Sequence, residues 1–373
     1  MLYKEYGSTG IEVSAIGFGG MRFPDHKDWD KGAALVKAAY DAGINYFDTA
    51  PGYGKSENIF GVALQDMRKT RATRPFYVSS KSMGGTPEAV RKDLENSLNR
   101  MGLDCIDFYH VWCIVQPDAY RTRKARGVLE EFARIKEEGL ARHICVSSHM
   151  TGSQIGEILR DYPFEGVLLG YCAMNFAYRE EGVQAAHDMG KGVVVMNPLG
   201  GGLIAQHPER FDFVRTRSEE SVVEGALRFL VNDPRIAVAL VGFDSEAHLS
   251  EAVRAVDGFK PIPASEIQRI RAEQTEAFNE LCTGCRYCDE CPEGIPVPRY
   301  LEAYNHYALS GRKRAIVNRL RMHWGIKLED DYLDRCTDCG RCEELCTQQL
   351  PVRRRLKEIR DEVLLARREK EGK

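Results

Sequence analysis

The sequence predicts an α/β chain, a closed (β/α)8 barrel followed by a smaller and mainly helical unit, on three observations. Short apolar runs rich in β-branched and aromatic residues alternate with longer stretches of helical period, eight times over. The alternation stops after Val256, where a stretch bearing Gly and Pro begins. Eight of the 12 cysteines then fall in two short runs beyond it. With 373 residues, 43% hydrophobic and 29% charged, the chain can bury one large core and one smaller one.

A two-strand hairpin is predicted first, 2–6 and 11–14 around Ser8-Thr9-Gly10, placed to plug the barrel bottom. Barrel strands are predicted at 15–19, 44–49, 76–81, 106–112, 143–148, 166–171, 192–197 and 237–242, each a brief apolar run of strand length. Helices fit between them at 31–41, 57–67, 87–100, 127–138, 153–161, 180–189, 219–232 and 246–256. Thr86-Pro87 and Ser245 supply start signals, because a hydroxyl at the N-cap satisfies a free backbone N–H and proline suits the first helical position. The expected organisation is a barrel over 1–257, a linker and charged connecting helix over 258–281, and a second unit over 282–373, helical between 297 and 334.

The cysteine runs are Cys282, Cys285, Cys288, Cys291 and Cys336, Cys339, Cys342, Cys346. Thiolates at two-residue gaps bring soft, anionic sulfurs onto one curl of backbone, and four ligands suit a [4Fe–4S] cubane. Structural zinc usually takes two separated Cys-x-x-Cys pairs per site, so unbroken quartets suit clusters better. Disulfides are weaker still, since no basic-then-apolar leader opens the chain and Cys105, Cys113, Cys145 and Cys172 lie in apolar runs, as core thiols do. The spacing predicts a crossed arrangement: Cys282, Cys285 and Cys288 with Cys346, and Cys336, Cys339 and Cys342 with Cys291. Pro292 follows Cys291, but Thr347 follows Cys346. Arg312, Lys313, Arg314, Arg319, Arg321 and Arg353 to Arg355 are expected on solvated helix faces, the sharper alternative being a docking surface for an acidic electron carrier such as ferredoxin or flavodoxin.

A net charge of −3 argues against nucleic-acid binding. No apolar stretch approaches the ~20 residues that span a bilayer, so no membrane association and a cytoplasmic location are expected.

Barrel chemistry is built at the C-terminal ends of the strands. There the sequence sets Asp48 at the end of the second strand, Tyr53 on its loop, Lys81 at the end of the third and His110 within the fourth. A phenol gives up its proton reluctantly at neutral pH, but a nearby ammonium favours the phenolate. Lys81 is therefore expected to tune Tyr53, with Asp48 holding Lys81 and His110 donating a hydrogen bond to a substrate carbonyl.

These residues, in GFGGMR (17–22), DTAPGYGKSE (48–57), VSSK (78–81), YHVW (109–112), MNPLGGG (196–202) and GFDSEAHLSE (242–251), resemble the aldo-keto reductase family over roughly residues 1–257. The cysteine tail resembles the branch of that family with a C-terminal ferredoxin-type domain, so the implied architecture is a TIM barrel followed by a dicluster ferredoxin-like domain. The resemblance implies that Tyr53 is the general acid for a small-molecule aldehyde, ketone or alcohol. It also implies a nicotinamide cofactor, NADPH or NADH, held by Gly20, Met21, Ser147, Ser148, Met196, Pro198, Leu199, Gly201, Gly242, Phe243, His248 and Glu251. Met196 stands where many relatives place an aromatic residue against the nicotinamide. Gly242, Phe243 and His248 replace the Lys, Ser and Arg that usually hold a 2′-phosphate, which weakens the case for NADPH. Tyr171 or Gly170, and Ser148, stand in for the usual carboxamide-binding Gln and Asn. The alternative is an electron-transfer or redox-sensing protein whose barrel no longer uses nicotinamide.

Overall fold

The computed structural model describes residues 1–174, 176–273, 280–322 and 324–371. It contains a hairpin, β1 (Tyr3–Glu5) and β2 (Glu12–Ser14), followed by β3 (Ile16–Gly19), β4 (Tyr46–Asp48), β5 (Tyr77–Ser82), β6 (Ile106–Ile114), β7 (Ala141–Ser148), β8 (Gly166–Gly170), β9 (Gly192–Met196) and β10 (Val238–Val241). The last eight close into a parallel barrel in the order β10-β3-β4-β5-β6-β7-β8-β9. All eight strands fall where the apolar runs predict them.

Register decides which side chains look inward. His110 pairs with Lys81 on one side and Cys145 on the other, and Asp48 pairs with Ser79. Neighbours in register share a face and residues two apart on a strand share it too. Tyr46, Phe108, Cys145, Leu168, Val194, Val238 and Leu240 form a buried cluster inside the barrel, so the inward positions one layer higher are Asp48, Lys81, His110, Ser147, Gly170, Met196 and Gly242. Beneath this layer the hairpin closes the barrel with Tyr6, fully buried, its ring 4.3 Å from that of Phe108 and its hydroxyl 3.5 Å from Cys145 Sγ. Gly166 and Gly192 admit that ring, because a Cβ at either would overlap it.

The outer helices include Trp29–Asp41, Ser56–Met67, Pro87–Met101, Val128–Glu137, Gly152–Asp161, Phe176–Asp188, Val222–Val231 and Glu246–Arg254. Both expected caps form: the Thr86 hydroxyl accepts from Ala89 N, and Ser245 accepts from His248 N. A helix at Pro117–Ala125 occupies a stretch expected to be loop. Arg179, fully buried, donates to the carbonyls of Gly170, His149 and Met150, tying β7 and β8 together at their C-terminal ends.

The chain divides into two compact units, Met1–Gly200 with Ile204–Glu273, and Gly201–Leu203 with Gln274–Lys373. The connecting helix, Ala264–Glu273, belongs to the barrel unit: Arg269 donates to the carbonyls of Phe213 and Arg215, and Arg271 pairs with Glu180. Residues 274–279 of the expected helix lie outside the described residues.

The second unit packs the helices Val297–Ser310, Arg314–Met322 and Val352–Glu371 around a core that includes Tyr300, Leu301, Val317, Leu320, Ile359, Cys282 and Cys288. Glu302 gathers Arg319, Trp324 and His306. Burial alone would raise its carboxyl, but these hydrogen bonds carry it down to about 2. Arg319 is thus an internal ion-pair partner, and Arg355, expected on a solvated face, is fully buried.

Candidate active site and cluster sites

Asp48, Lys81 and His110 point into the barrel mouth from three adjacent strands, and Tyr53 reaches over them from the loop after β4. Lys81 Nζ donates to both Asp48 oxygens at 2.6 and 2.7 Å and to Thr49 O at 2.7 Å, while Ser79 Oγ donates to Asp48 Oδ1 at 2.8 Å. Lys81 is fully buried and Asp48 nearly so. Three acceptor bonds satisfy all three ammonium protons and fix the amine. Its nitrogen lies 4.9 Å from the centroid of the half-buried Tyr53 ring, and Trp112 meets that ring edge-on at 5.5 Å.

Electrostatically the site departs from expectation at one point. The Tyr53 phenol is pushed well above its ordinary value, first by burial and next by the Asp48 charge, with Arg22 acting weakly the other way. Lys81 does not lower it, since its own pKa is lowered by burial and its charge is paired with Asp48. The phenol therefore keeps its proton across the physiological range. His110 is held well below the ordinary imidazole value, by burial first and then by Lys81, and so stands neutral. Neither ring nitrogen has a full hydrogen bond among the described residues, beyond a marginal interaction with the Val146 backbone.

The residues expected to hold nicotinamide separate into groups. Ser147 faces inward, buried, with a hydroxyl lacking a partner among the described residues. Its neighbour Ser148 points the other way, donating to Ile114 O and accepting from Met150 N, each at 3.2 Å. Met196 is partly buried on the inward face and Met21 is exposed. Gly20 is a packing glycine, since a Cβ there would meet Ser56 and Phe60. Pro198 and Leu199 lead into Gly200, Gly201 and Gly202, all at positive φ, a backbone path that glycine permits.

The Phe243 side chain faces outward from the barrel, fully buried, with its ring 5.2 Å from that of Phe18, so that only the backbone of this residue is left to meet a ligand. His248 and Glu251 line an open groove of about 890 Å³ with Glu209, Asp212, Arg215, Glu219 and Glu220. Its basic side chains are already engaged: His248 Nδ1 lies 2.6 Å from Asp244 and Arg215 lies 2.7 Å from Asp212. Glu251 accepts from Ser221 Oγ at 2.7 Å. The carboxylates outnumber the cations in this groove.

In the second unit the thiols gather as two quartets. Cys282 is pushed up to about 12 by burial and by Cys285 and Cys346, and Cys288 is raised by burial and by Cys282, Cys285 and Cys346. Cys342, pushed up to about 11 by burial, feels Cys336, Cys291 and Cys339. Cys291, Cys336, Cys339 and Cys342 also line one small cavity. The thiols that act on one another are thus Cys282, Cys285, Cys288 and Cys346 in one group and Cys291, Cys336, Cys339 and Cys342 in the other. The first quartet is deeper, with Cys282 and Cys288 buried, whereas Cys336 and Cys339 are exposed. Asn305, fully buried, clamps the first by accepting from Cys282 N at 2.8 Å and donating to Cys282 O at 2.7 Å. Such clustered, soft donors fit iron–sulfur ligation, which supplies the positive charge that buried thiolates need.

Sequence reasoning missed Arg179, Asn305 and Arg355. A buried Arg or Asn carries no periodic signature.

The description aldo/keto reductase family matches residues 15–274, and the description 4Fe-4S dicluster domain matches residues 281–350. Among curated proteins, L-galactose dehydrogenase from Arabidopsis thaliana is 27% identical over 285 residues, covering 68% of this chain and 87% of that protein. Probable aldo-keto reductase 1 from Glycine max is 28% identical over 209 residues, and the match spans 52% of this chain and 59% of that protein. The holo form of aldo-keto reductase AKR11C1 from Bacillus halodurans shares the fold, with a TM-score of 0.63 at 24% identity over 74% of this chain and 97% of that one. Among the described residues no helix is long and apolar enough to cross a membrane. With its closed parallel barrel and its matched segments, the chain belongs to the aldo/keto reductase family and is an oxidoreductase carrying a 4Fe-4S dicluster domain at its C-terminal end.

Proposed function

We propose that the barrel interconverts the carbonyl and alcohol forms of a small cytoplasmic molecule, with Tyr53 as proton donor, and that the two cysteine quartets hold [4Fe–4S] clusters that exchange single electrons with a carrier such as ferredoxin or flavodoxin. The observation that carries the first part is the convergence of Tyr53, Lys81, Asp48 and His110 on one mouth. A nicotinamide, if bound, would supply or take up the hydride at the carbonyl carbon, and Ser147 and Met196 are inward groups that would help to hold it. The chain's own residues handle the oxygen. Neutral His110 donates a hydrogen bond to it, and Tyr53 transfers its proton as negative charge develops there. The raised phenol pKa suits a group that must stay protonated until that charge appears, and an alkoxide is basic enough to take the proton. Asp48 fixes Lys81 4.9 Å from the centroid of the Tyr53 ring, so the amine packs against the phenol and keeps it in place instead of drawing off its proton.

The acidic groove favours NADH, because a 2′-phosphate dianion would meet Glu209, Asp212, Glu219, Glu220 and Glu251 while Arg215 and His248 are already engaged with Asp212 and Asp244. The same groove supports a second reading, a barrel that binds no nicotinamide and leaves the tail as an electron-transfer module. Anaerobically purified protein titrated with NADH and NADPH separates the two: binding of NADH supports the enzyme, and binding of neither supports the second reading. In the binding protein, Tyr53→Phe is expected to lower carbonyl turnover by about 10²–10⁴-fold while iron content stays constant. Turnover unchanged in that variant would sink the assignment.

A further inference from the structure

Arg355 is a fully buried guanidinium without adequate compensation among the described residues. It sits on the helix Val352–Glu371, its Cζ stacked 4.7 Å over the Tyr304 ring, and its Nη2 reaches Glu280 only at 3.5 Å. Nε and Nη1 have no partner among the described residues. A buried cation with unfilled donors is expensive unless an anion faces it. Tyr304 adjoins Asn305, which holds both backbone groups of Cys282, and Glu280 lies two residues before Cys282, so the guanidinium sits on the side of the deeper quartet, whose Cys282 and Cys346 act on its charge.

The same quartet collects further donors. Thr347 Oγ1 lies 3.2 Å from Cys285 Sγ, Gly284 N donates to Cys282 Sγ at 3.4 Å, and Leu350 N donates to Cys346 Sγ at 3.3 Å. Thr347 is the residue that breaks the Cys-Pro pattern kept at Cys291-Pro292, and its hydroxyl gives that departure a purpose. Around the exposed quartet the cations Arg341, Arg353 and Lys357 pair at the surface with Glu290, Glu343 and Asp338.

Burial disfavours adding an electron to a cluster whose net charge is already negative, whereas hydrogen bonds to its sulfurs and a nearby cation favour it. We propose that Arg355, assisted by Thr347, offsets the burial of the deeper cluster and holds its reduction potential high enough to accept an electron from the exposed one. The step moves one electron between clusters, with no bond made or broken and no proton required, and a one-electron carrier supplies the electron. This inference rests on the assignment of the two quartets as [4Fe–4S] ligands.

The test is an anaerobic dithionite titration of full-length protein followed by electron paramagnetic resonance, with Cys288→Ser and Cys339→Ser assigning the two signals. Arg355→Met is expected to disfavour reduction of the deeper cluster at least tenfold, a fall of about 59 mV for a one-electron couple. The exposed cluster should keep its potential, and Arg355→Lys should restore most of the loss. Thr347→Val should shift the deeper potential in the same direction by a smaller step, and it carries the test if Arg355→Met does not retain iron. An unshifted deeper potential in either iron-replete variant overturns the proposal, since a merely structural role would leave the potential in place. Wild-type protein with far fewer than about eight irons would instead overturn the ligand assignment, a failure read from iron content before any potential is measured.

Discussion

Glu165 shows how one carboxylate anchors the barrel wall. It accepts from Lys136 Nζ at 2.5 Å and from Ile144 N at 3.2 Å, and pairs with His143 Nδ1 at 2.8 Å. Burial alone would raise its pKa, yet these partners carry it down to about 2. A carboxyl depressed on folding stabilises the native state above its unfolded pKa, near 4.3, and that contribution is lost as pH falls toward 2. Its side chain is 25% exposed, so the contribution is discounted to on the order of 2 kcal/mol. Glu165→Gln should therefore be less stable than wild type by about that much at pH 7, with the gap closing toward pH 2, as urea unfolding across pH will show. The candidate active-site residues obey the same physics with another outcome, because at Asp48 burial outweighs Lys81 and the carboxyl is raised. Sequence spacing placed Asp48, Lys81 and His110 at strand ends and Tyr53 on the loop above them. It could not reveal that pairing with Asp48 withdraws the Lys81 charge from the phenol, which depends on distances of a few ångströms.

Among elements, the hairpin matters more than its short strands suggest. Tyr6 fills the barrel floor only because Gly166 and Gly192 lack a Cβ. Gly166→Ala should cost about 1–3 kcal/mol by overpacking, and Tyr6→Phe in the same chain should recover part of it, since the hydroxyl is the nearest atom to the new methyl group. Equal and additive losses in the double variant, read by thermal unfolding, would refute this account of the floor. Element positions were largely legible, because buried parallel strands read as apolar runs bounded by turns. The helix Pro117–Ala125 was not, since PDAYRTRKA buries only Tyr120 and offers no apolar stripe. Side-chain direction was also hidden where two candidates adjoin: Ser147 and Ser148 look alike in sequence, and only register turns one inward. Arg355 was hidden for a related reason, because three consecutive arginines read as a solvated face although one of them must point the other way on a helix.

For the whole molecule, the proposed pairing of a hydride-type site with one-electron centres sets a matter of stoichiometry. Two clusters can hold one electron each, which equals the two electrons of one hydride, so complete reduction of the tail matches one turnover at the barrel in electron count. The two quartets differ in surroundings, however, and that difference has a practical consequence. Cys336 and Cys339 are open to solvent, while Cys282 and Cys288 lie in the core of their unit. Dioxygen and small chelators reach an iron site through solvent, and a hydrophobic shell slows them. Brief exposure to air should therefore strip the outer site first, leaving molecules with about four irons and the deeper signal intact; simultaneous loss of both would contradict this. Preparations made on the open bench would then consist of half-loaded protein that still looks brown.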